Sequence, residues 1–339
     1  LILILSAADD ASVEMVVPHL RERGAQFLWW DPGDYPAQSR ITSRLSGGPW
    51  RHTLHIGGRA YDTSRFSAVW NRRPSAPRAP QSVTDAGHRR YVEKIAQILL
   101  YGWEDTLDAR WFPGRTIDVI RLQNKLLNLA AAARLGFTTP ETLVTNDPEE
   151  LIPFWEESGG ELIAKQVEYV PFHIGGEEHV FYTTPVTRRH LTHRHRLGAS
   201  PVIFQPYVDK AIELRITVVG NQVFAAEIHS QGSRATRYDY RHYERSFSAY
   251  GIHRLPEDVE RRCLALTASL GLPYGCIDMI LTPDGRYVYL EINPTGQWGW
   301  IESATGLPIS AAIADWLVAA EPAPEPEPGP GPETTMETA

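Results

Sequence analysis

The chain is poor in the residues that staple a fold, and no long run would embed it in lipid. Only two cysteines, Cys263 and Cys276, occur in 339 residues. They have no metal-type spacing and cannot form a disulfide framework, which suits a reducing compartment. Both read as small core residues. The opening apolar run, Leu1 to Leu5, is too short to span a bilayer and lacks a basic leader or small-residue cleavage site. It is expected to be a buried strand, and no membrane partner and a cytoplasmic location are expected. No Gly-x-Gly-x-x-Gly follows that strand, so a dinucleotide site is not supported. An excess of base is missing as well: of the net charge of −8, five charges are glutamates of the tail from Ala320, which has no base, and the body carries only −3. No nucleic-acid partner is expected.

What is present reads as α/β. Strand Leu1 to Leu5, a helix Ala11 to Arg23 capped by Asp9 or Asp10, a stop at Gly24 and a strand Gln26 to Trp30 open the chain. A hairpin (Leu54 to Ile56 with Arg59 to Asp62), a strand Phe66 to Trp70 and a helix Ala86 to Leu107 complete an N-terminal unit, residues 1–112. The pattern restarts at Pro113. A helix Asp118 to Leu135 carries Lys125, and a short strand Glu161 to Lys165 delivers a second lysine. Strand Val202 to Val208, a hairpin Glu213 to Asn221 with Val223 to His229, a helix Pro256 to Leu270 and a last helix Ile309 to Leu317 follow. These readings set units at 113–200 and 201–318, and a Pro/Glu-rich tail, 319–339, too poor in apolar residues to order itself.

One constellation carries chemistry directly. Tyr274 to Thr282 and Tyr287 to Asn293 are rich in Ile, Val, Tyr and Leu and flank Pro283-Asp284-Gly285-Arg286, which is turn chemistry. A four-residue loop, with Thr282 opposite Tyr287, would set Asp278 across from Glu291. Asn293 would share their face, because side chains along a strand alternate. Two carboxylates and an amide oxygen converging in this way suit Mg²⁺ beside phosphate oxygens. A one-residue slip would turn Glu291 to the other face. For Asp278 alone, an acid on a solvent face is a serious rival reading; the apolar neighbours of Glu291 and Asn293 put the metal reading ahead.

The order of parts resembles the ATP-grasp ligases: a helix lysine, a strand lysine, a strand entering a hinge, a strand with Glu and Arg, and a late Asp…Glu-x-Asn hairpin. The resemblance implies an ATP-grasp fold behind an N-terminal pre-ATP-grasp α/β domain, with ATP and Mg²⁺ as cofactors. It assigns Lys125 and Lys165 to the phosphates, Gln205 to Val208 to the adenine edge, and Glu213 to the ribose. It also assigns Arg215 and His229 to the phosphate region, and Asp278, Glu291 and Asn293 to the metal. Taken alone, Lys125 would read as a solvated helix face and Gln205 to Val208 as an ordinary strand end.

Further motifs narrow the resemblance. Val69-Trp70-Asn71-Arg72-Arg73-Pro74, Asp239-Tyr240-Arg241, and Leu290 to Trp298 followed by Ile301 to Ile309 are similar to the maturases that make graspetides, covering nearly all of the chain except the tail. That branch implies activation of Asp or Glu side chains of a precursor peptide, with leader and core, as acyl phosphates, and their capture by a Ser or Thr hydroxyl or a Lys amine. Catalytic candidates are then Arg215, Asp239 and Arg241, and Arg72, Arg73, Asp239 and Arg241 are candidates for holding an acidic core peptide. Surface salt bridging is an equal reading of those four. Residues 166–184 could dock a leader or close over ATP. Arg188 to Arg196 reads as a solvated basic helix or loop, and a homodimer is left open. Two rival functions share these features: a carboxylate-amine ligase for free amino acids or a protein terminus, and a nucleotide-binding regulator without turnover.

Overall fold

The computed structural model describes residues 1–168, 170, 172–232, 238 and 249–319. Its first unit is built on a parallel sheet ordered Phe27–Trp30, Ile2–Ser6, Ala68–Arg73, Arg110–Phe112. A parallel sheet needs cover on both faces, which is why its strands read as unbroken apolar runs. Ile2 and Ile4 pack on helix Ala11–Glu22, whereas Leu3 and Leu5 pack on helix Ala86–Thr106. Asp10 caps the first helix by accepting from the Ser12 N–H. A small antiparallel sheet, Ser39–Arg44, Arg51–Ile56 and Arg59–Asp62, stands beside it, and its first strand has no counterpart in the sequence reading.

The central sheet is antiparallel, ordered Thr184–Pro185, Leu162–Lys165, Val202–Pro206, Leu143–Thr145. Helix Pro148–Glu157 covers it through Leu151 and Phe154. Strand Val202–Pro206 therefore belongs to this sheet and not to the C-terminal unit in which a boundary at 200 would put it. The expected helix Asp118 to Leu135 is two helices, Thr116–Leu122 and Lys125–Arg134. The second begins where the Asn124 side chain accepts from the N–H groups of Leu126 and Leu127, an N-cap that interrupts the periodic pattern without any Gly or Pro. Both helices pack on the C-terminal sheet rather than on the central one.

The C-terminal sheet runs Ala249–Ile252, Gln222–His229, Ile212–Val219, Tyr274–Leu281, Tyr287–Asn293, all antiparallel. One face, with Leu214, Ile216, Ile277 and Tyr289, packs on helix Glu257–Ser269 and helix Lys125–Arg134. The other face changes character along its length. At one end Val219, Phe224, Tyr274 and Cys276 share a core with helix Ala11–Glu22 and with helices Gly299–Thr305 and Ile309–Val318, so the first unit and this sheet are joined by one apolar core. At the other end the same face carries Glu213, Arg215 and Asp278, and it looks across a cleft at the central sheet.

Candidate active site

The charged half of that face is set by register. Arg215 lies opposite Asp278, and Asp278 lies opposite Glu291. The pairing near the hairpin tip is Leu281 with Tyr287, one residue out of the step expected from a four-residue loop. The ladder shifts between Asp278 and Met279, where Leu290 is taken up as an extra residue, and this bulge restores Asp278 to Glu291. Arg215 Nη1 donates to both Asp278 oxygens, at 2.7 and 2.9 Å. Lys125 Nζ lies 2.9 Å from Glu291 Oε2. Lys125 reaches it because buried Asn128, one turn along the helix, donates to the carbonyl of Ile292 at 3.2 Å and ties the helix to this strand.

The facing wall is the end of the central sheet. Lys165 Nζ donates to Gln205 Oε1 at 3.0 Å, and Gln205 Nε2 donates to Thr142 Oγ1 at 2.9 Å. The chain then leaves the sheet through Pro206, with the Tyr207 N–H donating to the Glu161 carbonyl, and Val208 lines the cleft. Buried Glu213 is held by Lys210 at 3.1 Å and by the Ser230 hydroxyl at 2.6 Å. Between the walls lies an open cleft lined by both lysines, Gln205, Val208, Glu213, Asp278 and Glu291. Lys210, Ser230, Thr142 and Asn128 went unread in the sequence; only Lys210, three residues before Glu213, left a charge-pair signal.

Of the other expected site residues, His229 stands away from the cleft, and Asn293 lies two residues beyond Glu291 at the end of the same strand. Glu213 pairs with Ile228, so Glu227 and His229 turn to the opposite face of the sheet; His229 is exposed and its Nε2 is 3.0 Å from Glu227 Oε2. It does not line the cleft. Asn293 is also exposed, and its Oδ1 accepts from the Thr295 N–H at 3.0 Å, closing its own turn. Asp239 and Arg241 lie outside the described residues.

Arg72 and Arg73 have different fates. Alternation along strand Ala68–Arg73 sends Arg72 inward, where Nη2 donates to Ser12 Oγ at 2.9 Å and to Gln297 Oε1 at 2.7 Å, and Nη1 donates to the Thr295 carbonyl at 3.1 Å. Asp10 lies 3.6 Å from its Nε. Arg72 is thus committed to protein partners as a brace between the first unit and the loop after the metal hairpin. Arg73 is exposed and makes no ion pair with the described residues. Both line a second, open cavity, floored by the same loop through Thr295 and Gln297. Gln297, in the second cavity, is tied toward the cleft by hydrogen bonds: its carbonyl accepts from Arg215 Nη2 at 2.9 Å while its side chain accepts from Arg72. Gly296 makes this approach feasible: a Cβ there would stand 2.3 Å from Cys276 Cβ and 3.1 Å from Arg215 Nη2.

Burial raises the Tyr289 and Tyr274 hydroxyls well above the usual phenol range. Glu104 is pushed up to about 7 by burial, against the N–H and hydroxyl of Thr116, which donate to it. It caps helix Thr116–Leu122, which leads to Lys125. Among the described residues no group of three or more His, Cys, Asp and Glu is arranged for a metal. The hard oxygens of Asp278 and Glu291, facing each other in the cleft, nevertheless fit Mg²⁺, which takes one or two carboxylates and completes its shell with water and phosphate.

Two sheets closing on one cleft, lysines and an exit strand on one wall, an arginine with paired carboxylates on the other, define an ATP-grasp ligase. Residues 1–115 match the family described as the MvdD pre-ATP grasp domain. Over 95% of this chain, the fold superposes on 97% of a RiPP-associated ATP-grasp ligase from Chryseobacterium gregarium, solved with ADP and a leader and core peptide, with TM-score 0.88 and 30% identity. The macrocyclase MdnC from Microcystis aeruginosa MRC, solved with its precursor peptide MdnA, matches with TM-score 0.83 and 30% identity over 94% of this chain and 99% of that one. A "probable alpha-L-glutamate ligase" of Enterobacter sp. (strain 638) is 27% identical over 208 residues, 60% of this chain; the match spans 65% of that relative's length. The chain belongs to the RiPP-associated ATP-grasp ligases, in the graspetide synthetase branch.

Proposed function

We propose that this chain is an ATP-dependent macrocyclase of a ribosomally made precursor peptide. The observation that carries the reading is Gln297, which lines the cavity bearing Arg73 while its carbonyl accepts from Arg215, the partner of the cleft carboxylate Asp278. In this reading the adenine edge lies against the main chain at Gln205 to Val208, Glu213 takes the ribose, and Lys125 and Lys165 take the phosphates. Asp278, Glu291 and Asn293 hold Mg²⁺, which when bound screens phosphate charge. Occupying that site would draw Glu291 from Lys125 and leave its ammonium for the nucleotide. Arg73, with Arg72 behind it, receives an acidic core segment, and Asp239 and Arg241 are assigned to the same peptide.

An Asp or Glu carboxylate of the peptide attacks the γ-phosphorus, forming an acyl phosphate and releasing ADP. A Ser or Thr hydroxyl or Lys amine of the same peptide then attacks the acyl carbon, gives up its proton and expels phosphate, leaving a ring ester or amide. No enzyme nucleophile is needed, and catalysis rests on positioning and on Arg215 facing the transferred phosphoryl. Absence of a membrane-length apolar helix among the described residues and two buried free cysteines support a cytoplasmic setting. Heavy oxygen placed in the carboxylates of a candidate precursor tests the chemistry: it is expected in the released phosphate, and unlabelled phosphate would exclude the acyl phosphate. The likeness to alpha-L-glutamate ligases favours one second reading, addition of free glutamate, which labelled glutamate retained on a peptide would reveal.

A further inference from the structure

Lys210 and Glu213 form an ion pair at 3.1 Å whose side chains are only 5% and 9% exposed. Lys210 stands in the connection 207–211, and Glu213 is the second residue of strand Ile212–Val219. A buried pair of charges is weak evidence for stability, because apolar residues in the same space often do as well, so it calls for another reason. The surroundings supply one. Ser230 Oγ donates to Glu213 Oε1 at 2.6 Å, the same oxygen that Lys210 holds. The direction of that hydroxyl is fixed in turn, since Gln231 Nε2 donates to Ser230 Oγ at 3.1 Å and leaves its hydrogen for Glu213. Lys210 Nζ also donates to the Tyr238 carbonyl at 3.3 Å, and the Tyr238 ring stands edge-on to Tyr207, their centroids 5.2 Å apart. Glu213 Oε1 thus takes two donors from the protein, whereas Oε2 accepts from none of the described residues. The last torsion of a glutamate is ordinarily broad. Here two donors on one oxygen fix it, and the other oxygen keeps one place in the cleft that Lys210, Glu213, Tyr207 and Tyr238 line.

We propose that Lys210 and Ser230 are positioning residues that make the cleft selective for a ribonucleotide over its 2′-deoxy counterpart. The inference rests on the reading that Glu213 takes the ribose, and adds which groups give that contact its selectivity. A carboxylate free to rotate could follow whichever hydroxyl a sugar offers. Held at Oε1, Glu213 presents Oε2 in one place, and a sugar without the hydroxyl that belongs there strands a buried charged acceptor. An acceptor already fixed in place also loses no freedom when the nucleotide arrives. Lys210 acts through Glu213 rather than on the nucleotide, because its ammonium is engaged by Glu213 and the Tyr238 carbonyl. If Lys210 and Ser230 were only ties between the connection 207–211 and the C-terminal sheet, their loss would affect both sugars alike.

Calorimetric titration of the full chain with ADP and with 2′-deoxy-ADP, both with Mg²⁺, reads the effect without turnover. Wild type is expected to bind ADP about 10- to 100-fold more tightly, the scale of one hydrogen bond to a charged group. Lys210→Met and Ser230→Ala are each expected to weaken ADP while leaving 2′-deoxy-ADP nearly unchanged, so that the ratio collapses. Circular dichroism verifies folding, and Ser230→Ala, which keeps the ion pair, carries the test if Lys210→Met does not fold. Equal weakening of both nucleotides, or an unchanged ratio in the folded variants, would overturn the proposal. Glu213→Gln separates it from the reading beneath. A wild-type ratio in that variant refutes the ribose assignment itself, whereas a ratio that collapses there and survives in the other variants refutes only the positioning role. A wild type that binds both nucleotides alike overturns both.

Discussion

Asp278 and Glu291 face one another across neighbouring strands because Leu290 is taken up as an extra residue beside them. Their oxygens are already matched with base, Arg215 on one and Lys125 on the other. Glu291→Gln should therefore leave the fold in place, since both side chains of the Lys125 pair keep about a quarter of their surface in solvent, where the Lys125 ammonium stays hydrated without its partner. Turnover should fall by about 100-fold, the scale of losing one charge-stabilising group. Asn293→Ala is expected to behave in the same way. Steady-state ADP release at saturating Mg²⁺ measures both, and full activity in either variant removes that residue from the metal site.

The two neighbouring arginines should separate cleanly. Arg72→Met leaves Asp10 buried beside no cation, and such losses cost about 3–5 kcal/mol. Arg73→Met should change stability by no more than about 0.5 kcal/mol, while raising the peptide KM at unchanged ATP affinity. Urea unfolding and peptide titrations read the two effects; a large stability loss in the Arg73 variant alone would reverse the assignment.

Gly296→Ala should push the loop from Cys276 and Arg215. Overpacking of this kind costs about 1–3 kcal/mol, and the loss of the Arg215 to Gln297 contact should lower turnover as well. Unfolding midpoints and kcat are the measurements, and a variant that matches wild type in both would show that the close approach is unnecessary.

Glu104 gives a pH signature. Its folded value of about 7 lies above the ordinary 4.5, so the folded state holds the extra proton between those values. Its contribution is complete below pH 4.5 and is lost as the pH rises toward 7, by up to about 3 kcal/mol. In Glu104→Gln that downward slope should vanish. Stability curves of both proteins at pH 5 and pH 8 decide it, and equal slopes would count against the buried acid.

The constituents of the cleft were legible where one strand carried them. Lys165, Gln205, Glu213 and Arg215 sit at strand positions whose alternation sends them to one wall or the other. What the sequence could not show was pairing. The strand ending at Pro206 joins the central sheet because it ladders with Leu162–Lys165, which is tertiary information. The Asp278 to Glu291 pairing was reached through a loop one residue too short and a ladder without its bulge, two departures that cancel. His229 shows the complementary limit: its strand is legible, but its face follows from the pairing of Glu213 with Ile228. Nothing in Arg72-Arg73 distinguishes the inward residue until the sheet is covered.

The most direct test of the central claim is the mass of a Thr- and Glu-rich candidate precursor after incubation with the protein, ATP and Mg²⁺. Successive losses of one water each, matched by one ADP released per loss, are expected. Release of ADP with the peptide mass unchanged would contradict ring closure.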